Sequence, residues 1–209
     1  MNSMSERLYR LEYKVNKRVP GESKYRLAFL SEKKIKWFIN PKVGSTFLTQ
    51  ELKKFDSFTI PGQHRVCDWN PMRSDWFSFA FVRHPVQRCL SCWQSKIFSD
   101  RHHVFGISAE EACKMKELDT FIDFVEGKNL LNCDAHLSLQ TANMPVSEMS
   151  FIGRLECFSA DLKRLNSLTG LNLNTSLPAP NKTKKPPISR EQTARIERLY
   201  AQDMNQFNY

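Results

Sequence analysis

Two short stretches of the chain each combine a cation with a turn between a strand and a helix. The first, residues 39–46, contains Lys42, and the second, residues 81–91, contains Arg83. Each follows an apolar run typical of a buried strand and opens a segment of helical periodicity. Backbone N–H groups at a helix N-terminus lack internal partners and face the positive end of the helix dipole, so such turns bind phosphate. Two of them predict two anionic groups on one ligand.

The order of residues in the first turn argues against a nucleoside triphosphate site of the usual kind. A Walker A loop has the pattern G-x-x-x-x-G-K-[ST], whereas here Lys42 precedes Gly44. The order of strand, loop and helix is nevertheless the same as in a Walker A site. Gly44 admits close backbone approach, and the backbone of Val43–Phe47 with the hydroxyls of Ser45 and Thr46 would surround the oxygens of the anion.

The first turn resembles the 5′-phosphosulfate loop of sulfotransferases that use PAPS (3′-phosphoadenosine 5′-phosphosulfate), where a P-K-x-G-[ST]-[ST] segment wraps the donor. The second resembles the 3′-phosphate segment of that superfamily, with Arg83 and Ser91 as its two phosphate contacts. A helix that begins at Pro85 can bring the Ser91 hydroxyl back toward the guanidinium of Arg83, whose fork of N–H groups suits bidentate phosphate contact. Arg88, on the same helix, is expected to pair with a carboxylate instead.

The resemblance narrows to the carbohydrate sulfotransferases related to the chondroitin, dermatan, HNK-1 and uronyl 2-O enzymes. Residues 82–91 are similar to their V-R-[DEH]-P-x-x-R-x-x-S pattern. Residues 134–140 and 151–161 resemble their D-x-H-W-x-x-Q and F-I-G-[KR]-x-E-x-x-x-x-D blocks, and residues 199–209 resemble their closing L-Y-x-x-D-x-x-x-F-x-Y. All keep the family order. Leu137 stands where the family pattern has tryptophan, a departure that bears on the acceptor more than on the donor.

This resemblance implies PAPS as the donor, PAP as the product, no metal requirement, and a carbohydrate or glycoconjugate acceptor, anionic acceptors included. In-line sulfuryl transfer needs a positive charge beside the bridging oxygen, and Lys42 suits that task. Asn181 and Lys182, in a Pro-rich loop with Lys184 and Lys185, could close over the nucleotide as the late loop does in relatives. A mobile, exposed charge run is an equal alternative.

The acceptor hydroxyl must lose a proton, and histidine suits that role near neutral pH. His64 ranks first because it lies between the two phosphate segments and resembles a histidine that relatives carry upstream of V-R-[DEH]-P. His136 ranks second through its D-x-H context. Either could instead be a structural histidine. His84 is expected to serve turn structure, and His102 and His103 to lie in a solvated loop.

Strands that alternate with helices predict an α/β fold with a mainly parallel central sheet flanked by helices. That agrees with the P-loop-like sulfotransferase fold which the resemblance implies. Strands are expected at 24–30, 35–39, 58–60, 77–82 and 149–152. Helices are expected at 45–54, after Pro85, after the capping box Ser108-x-x-Glu111, around 121–125, at 159–170 and, as one last helix, after the capping box Ser189-x-x-Gln192.

Length and charge bound the function classes. The 209 residues fit a single domain, 1–209, with a sizeable core. Thirteen of the 31 Lys and Arg residues but only five of the 22 Asp and Glu residues lie within 1–54, so the net charge of +9 is uneven. A basic end indicates an anionic partner, such as an acidic glycan or the nucleotide, or a merely solvated surface. No zinc-finger or RNA-binding signature is present, so nucleic acid is not expected.

Cysteine usage and hydropathy bear on metal sites and location. Cys89 and Cys92 share one expected helix without a second pair at zinc-ribbon spacing, so packing is favoured over metal binding. No apolar run reaches the ~18 residues of a membrane span, and residues 1–10 are polar rather than signal-like. A cytoplasmic bacterial enzyme is therefore expected, with a Golgi lumenal domain trimmed of its anchor as the alternative. The oligomeric state is not predicted.

Two other function classes remain open from the residues alone. A nucleotide-dependent phosphotransferase with an atypical P-loop is weakened by the position of Lys42 and by the lack of a clear Mg²⁺-holding carboxylate after a strand. A basic module that binds glycan or nucleic acid explains the charge but leaves both anion turns unexplained. Loops 61–76 and 98–118 are expected to shape the acceptor site.

Overall fold

The computed structural model describes residues 25–60, 75–99, 101–176 and 187–209. These residues group into two compact units. The described residues of the first unit are 25–40, 44–60, 75–82 and 143–176, and those of the second unit are 41–43, 83–99, 101–142 and 187–209. The single domain stays a prediction, because two compact units can belong to one domain.

A five-stranded sheet forms the centre of the first unit. Its strands, in the spatial order β3-β1-β2-β4-β5, are β1 (Leu27–Leu30), β2 (Ile35–Phe38), β3 (Phe58–Thr59), β4 (Phe77–Val82) and β5 (Phe151–Arg154). The pairs β2–β4 and β4–β5 are parallel, whereas β1 is antiparallel to both β2 and β3. Four of the five strands therefore run in one direction, which confirms the α/β class and the mainly parallel sheet.

Helices follow one another along the chain in the order expected from the periodicity. The first unit contains α1 (Ser45–Leu52) and α5 (Phe158–Thr169). The second unit contains α2 (Pro85–Ile97), α3 (Ala109–Lys114), α4 (Leu118–Glu126), α6 (Arg190–Leu199) and α7 (Ala201–Phe207). None of the helices in the described ranges is long and apolar enough to cross a membrane.

Aromatic packing fixes the first unit. Trp37 of β2 stacks on Phe79 of β4, with ring centroids 6.1 Å apart. Phe81 contacts the ring of Phe158 on α5 at 4.9 Å. Gly153 of β5 is needed beside this pair, because a Cβ there would come within less than 3.0 Å of the Phe81 ring. The strand ends that lead into the candidate site are thus held by a dense core.

The strand β5 begins two residues later than the sequence predicts. Residues Val146–Glu148 form a 3₁₀ turn, closed by a 2.9 Å hydrogen bond from the Glu148 amide to the Pro145 carbonyl. The Ser150 hydroxyl then accepts a bond from the Ser78 amide at 3.1 Å. Met149 ends this turn, its amide donating to the Val146 carbonyl at 3.3 Å. The turn and the Ser78 bond therefore take up Met149 and Ser150, the two residues at which the strand was expected to begin.

The second unit packs its helices around a separate apolar core. The buried members include residues from α2, α4 and α6, with Leu137 and Leu139 from the segment that follows α4. Cys89 and Cys92 are free thiols in this core, and burial raises the pKa of each to about 12. Both therefore stay protonated at neutral pH and pack as apolar side chains.

The sequence predicted one last helix, and this prediction is wrong. The helical segment is interrupted at Tyr200, whose φ of −105° and ψ of 23° separate α6 from α7. The break has a tertiary cause: the buried Tyr200 hydroxyl donates to the Leu137 carbonyl at 2.6 Å, and the carboxylate of Asp203 accepts from the backbone of residues 140–141. Helical periodicity carries no information about such partners.

Candidate active site

Lys42 and Arg83, the cations of the two predicted anion turns, lie together in the second unit. Arg83 Nη1 donates to the carbonyl oxygen of Lys42 at 3.3 Å. The Lys42 ammonium donates to the Ser95 hydroxyl of α2 at 2.6 Å. Lys42 has a φ of +70°, a left-handed conformation that residues other than glycine adopt rarely and that is enriched at functional sites. The structure therefore brings together two cations that are 41 residues apart in the chain.

The electrostatics of Lys42 fit an anion site. The pKa of Lys42 is lowered from 10.5 to about 8, chiefly because the ammonium is partly buried and additionally because Lys96, Arg83 and Arg101 repel it. Clustered cations at a partly buried position repel one another until an anion neutralises them. A ligand with two separated anionic groups would relieve this repulsion and raise the pKa of Lys42.

Arg88 holds the loop that carries Lys42. Its guanidinium, 1% exposed, donates from Nε to the Pro41 carbonyl at 3.2 Å, from Nη1 to the Ser138 carbonyl at 2.8 Å and from Nη2 to the Ala135 carbonyl at 2.6 Å. The prediction that Arg88 pairs with a carboxylate is therefore wrong. The arginine fork matches three backbone acceptors that two buried turns leave without helix or sheet partners.

Asp134 and His136 form a hydrogen-bonded pair in the same unit. His136 Nδ1 lies 2.8 Å from Asp134 Oδ1, which also accepts from the His136 amide at 2.9 Å. Because a carboxylate only accepts, the proton is assigned to Nδ1 and the lone pair to Nε2. Burial lowers the pKa of His136 although Asp134 acts to raise it. The imidazole is thus neutral at neutral pH and oriented as a general base requires.

Electrostatic neighbours connect this pair with the cationic turn. Lys96, 9% exposed on α2, acts on the pKa of both Lys42 and His136. On the preceding turn of α2, Lys42 acts to lower the pKa of the buried Cys92 and Asp134 acts to raise it. The lysine and the Asp134–His136 pair therefore share the neighbourhood of the last turns of α2.

In the first unit, the chain enters α1 through Gly44. Its φ is +83°, and a Cβ at this position would lie 3.2 Å from the Phe158 ring, so both conformation and space favour glycine. The Ser45 hydroxyl donates to the Asn40 carbonyl at 2.7 Å and so tightens the loop. Thr46 is exposed at the first turn, where backbone N–H groups have no helix partner.

The remaining expected residues have simpler settings. In the first unit, the Phe47 ring packs edge-on against Phe158, with centroids 5.8 Å apart. In the second, Val43 is fully buried, and Ser91 is partly exposed on α2. His84 lies against the terminal Tyr209 ring, with centroids 5.1 Å apart.

Three expected site residues, His64, Asn181 and Lys182, lie outside the described residues. His102 and His103 belong to a 3₁₀ turn, His102–Phe105. Within the described ranges, no group of three or more His, Cys, Asp or Glu side chains is arranged as a metal site.

Sequence reasoning missed the roles of Ser95, Gln140 and Asp203. Ser95 lies one helical turn beyond Ser91, a spacing that could have suggested it as a further residue on the same face of α2. Gln140 and Asp203 belong to the family patterns quoted above, yet no role follows from their residue types alone. Their partners lie tens of residues away in the chain.

A mainly parallel α/β sheet whose strands β2 and β4 lead along the chain into turns with Lys42 and Arg83 is the arrangement expected of a P-loop-like sulfotransferase fold. The chain belongs to the sulfotransferase family: the family profile described as "Sulfotransferase family" matches residues 25–209. The match confirms the resemblance to the carbohydrate sulfotransferases, and the general activity is sulfuryl transfer to an acceptor. No curated protein and no solved structure matches the chain significantly.

Proposed function

We propose that the protein transfers the sulfuryl group of PAPS to a hydroxyl of a carbohydrate or glycoconjugate, anionic acceptors included. The observation that carries the proposal is the hydrogen bond from Arg83 to the Lys42 carbonyl, because it joins the two turns that would hold the two anionic ends of the donor. Family membership supports sulfuryl transfer, and the cation cluster supports a donor of high negative charge.

Donor binding is assigned to the chain's own cations and turns. Arg83, with Ser91 on α2, would contact the 3′-phosphate through charge-assisted hydrogen bonds. Lys42 would contact the 5′ end, where the loop continues through Gly44 into the first turn of α1. Outside the described residues, Asn181 and Lys182 are proposed to contact the nucleotide.

Lys42 is proposed to stabilise the leaving group. When bound, PAPS supplies an activated sulfuryl group whose departure leaves negative charge on a 5′-phosphate oxygen. An ammonium with a pKa of about 8 is mostly protonated at neutral pH and can neutralise that charge. The hydrogen bond to Ser95 holds the ammonium in one place without neutralising it, because a hydroxyl carries no charge.

The proton of the acceptor hydroxyl is assigned to a histidine. The bond between Asp134 and His136 leaves the Nε2 lone pair of His136 able to accept a proton, and Asp134 would stabilise the imidazolium that forms. This geometry supports His136, although the sequence ranked His64 first. His64 remains the other candidate, so both histidines enter the tests.

Thermal unfolding with PAP, ATP and GTP, each with and without Mg²⁺, tests the donor. PAP is expected to stabilise the protein without Mg²⁺, by about 2.7 kcal/mol at one hundred times its dissociation constant. Arg83→Ala should reduce this shift, whereas Lys163→Ala, on the exposed side of α5, should retain it. Stronger, Mg²⁺-dependent stabilisation by ATP would contradict the proposal. Transfer of labelled sulfate from PAPS to a panel of glycans then tests the acceptor.

A further inference from the structure

The side chain of Gln140 is bonded to the backbone of Arg83 at both ends of its amide. Gln140 Oε1 accepts from the Arg83 N–H at 2.9 Å, and Gln140 Nε2 donates to the Arg83 carbonyl at 2.9 Å. Gln140 is fully buried. One side-chain amide thus satisfies both polar backbone groups of Arg83, at the point where β4 has ended and α2 has not yet begun.

Asp203 of α7 in turn holds Gln140. The buried Asp203 carboxylate accepts from the Gln140 amide at 2.7 Å through Oδ2. Its other oxygen, Oδ1, accepts from the Thr141 amide and the Thr141 hydroxyl, each at 3.0 Å. A charged acceptor with three donors is a strong anchor, because charge-assisted hydrogen bonds are stronger than neutral ones.

These bonds matter because Arg83 occupies a position that regular structure does not fix. A residue between a strand and a helix has neither ladder nor helix partners for its backbone, so its φ and ψ depend on side-chain partners. The direction of the guanidinium follows from that backbone. A displacement of about 1 Å is enough to take a guanidinium out of hydrogen-bonding distance of a phosphate oxygen.

We infer that Gln140 is a positioning residue that holds Arg83 for contact with the 3′-phosphate of the donor, and that Asp203 of α7 holds Gln140 in place. The inference rests on the proposed function, because it takes PAP and PAPS as ligands of Arg83. It gives α7, which is near the C-terminus in sequence, a role in donor affinity.

Titration calorimetry of the full chain with PAP, at pH 7.5 and pH 5.5, provides the test. Gln140→Met keeps the length of the side chain but removes both bonds, so PAP binding should weaken by roughly tenfold or more at both pH values. Gln140→Glu loses the donor when ionised, but its protonated carboxyl again offers one donor and one acceptor. Its affinity relative to the wild type should therefore recover at pH 5.5.

Thr141→Val is the matched control, because it removes the hydroxyl bonds to the same Asp203 carboxylate and to Gln202 without touching Arg83. It should lower the melting temperature yet leave the affinity for PAP within twofold of the wild type. With the active enzyme, Gln140→Met should raise KM for PAPS far more than KM for the acceptor. Recovery of Gln140→Glu at low pH is the result that a merely structural role would not produce.

Two outcomes would overturn the inference, and they are distinguishable. If the wild type binds PAP and both Gln140 variants bind it equally well, Gln140 does not position Arg83. If the wild type itself fails to bind PAP, the proposed function falls and the inference falls with it. Should Gln140→Met not fold, the comparison of Gln140→Glu at the two pH values decides alone.

Discussion

The ammonium of Lys42 donates a hydrogen bond to the Ser95 hydroxyl at 2.6 Å, across 53 residues of chain. The bond joins the predicted phosphosulfate loop to the fourth turn of the helix that follows Arg83. A hydroxyl acceptor stabilises the charged form of a lysine whose burial favours the neutral form. Ser95 therefore both orients the ammonium and opposes the loss of its proton.

Replacing Ser95 tests this relationship. Ser95→Ala should move the alkaline limb of kcat/KM to lower pH, because Lys42 loses an acceptor that favours its charged form. Ser91→Ala, one turn earlier on α2, is the matched control and should weaken PAP binding without moving the alkaline limb. pH–rate profiles and PAP titrations of the two variants separate the roles, and identical behaviour of the two would contradict the assignment.

The lowered pKa of Lys42 leads us to predict the upper pH limit of activity. Because its pKa is lowered to about 8, the charge should be lost as pH rises through that value, and kcat/KM for PAPS should fall with it. Lys42→Arg keeps a charge at all accessible pH values, so its remaining activity should lack this limb. Lys42→Ala should lower kcat by roughly 10²-fold or more. An unchanged kcat would make Lys42 a binding residue only.

The same pKa predicts the pH dependence of stability. Below pH 8 both the folded and the unfolded protein carry a protonated Lys42, so the cost of the buried charge is fully present. Between about 8 and 10.5 the unfolded chain binds more protons, and the free energy of unfolding should rise with pH. The difference between wild type and Lys42→Met in urea unfolding, measured from pH 7 to 10, isolates this contribution. A flat difference would contradict the lowered pKa.

The pair Asp134–His136 predicts the lower pH limit. Because the pKa of His136 lies below 6.5, the base should stay neutral down to acid pH. Asp134→Asn removes a charge that raises this pKa, so the acid limb of kcat/KM should move further down while kcat falls through lost orientation. His136→Ala should lose roughly 10²–10⁴-fold in kcat with PAP binding unchanged. If His64→Ala shows that loss instead and His136→Ala does not, His64 is the base.

Loss of the Arg88 side chain is expected to lower the free energy of unfolding strongly. Arg88→Met leaves three buried backbone carbonyls without their donor, and we expect a loss of roughly 3–5 kcal/mol in the free energy of unfolding. Arg195→Met is a useful contrast, because Arg195 bonds Asp123 and Glu126 at the surface, where water replaces lost partners. Its effect should be smaller and should diminish with salt. Equal losses in urea unfolding would argue against the structural role of Arg88.

The sequence predicted the fold class well for physical reasons that are local. Residues 77–82 are apolar except for Ser78, a composition typical of a strand covered on both faces. Pro85 occupies the first helical position, where its missing N–H costs no helix hydrogen bond. The capping box of Ser108 and Glu111 formed as expected. Where the sequence failed, at Tyr200 and at the start of β5, the deciding partners were distant in the chain.

For the candidate site too, some features could be predicted from the sequence and others only from the tertiary structure. Residue order alone predicted anion turns at Lys42 and Arg83, because each cation stands where an apolar run ends and a helical pattern begins. Only the tertiary structure showed that Arg88 bonds carbonyls, that Ser95 accepts from Lys42 and that Gln140 holds Arg83. A residue type fixes which bonds a side chain can make, whereas the fold decides which partner comes within 3 Å of it.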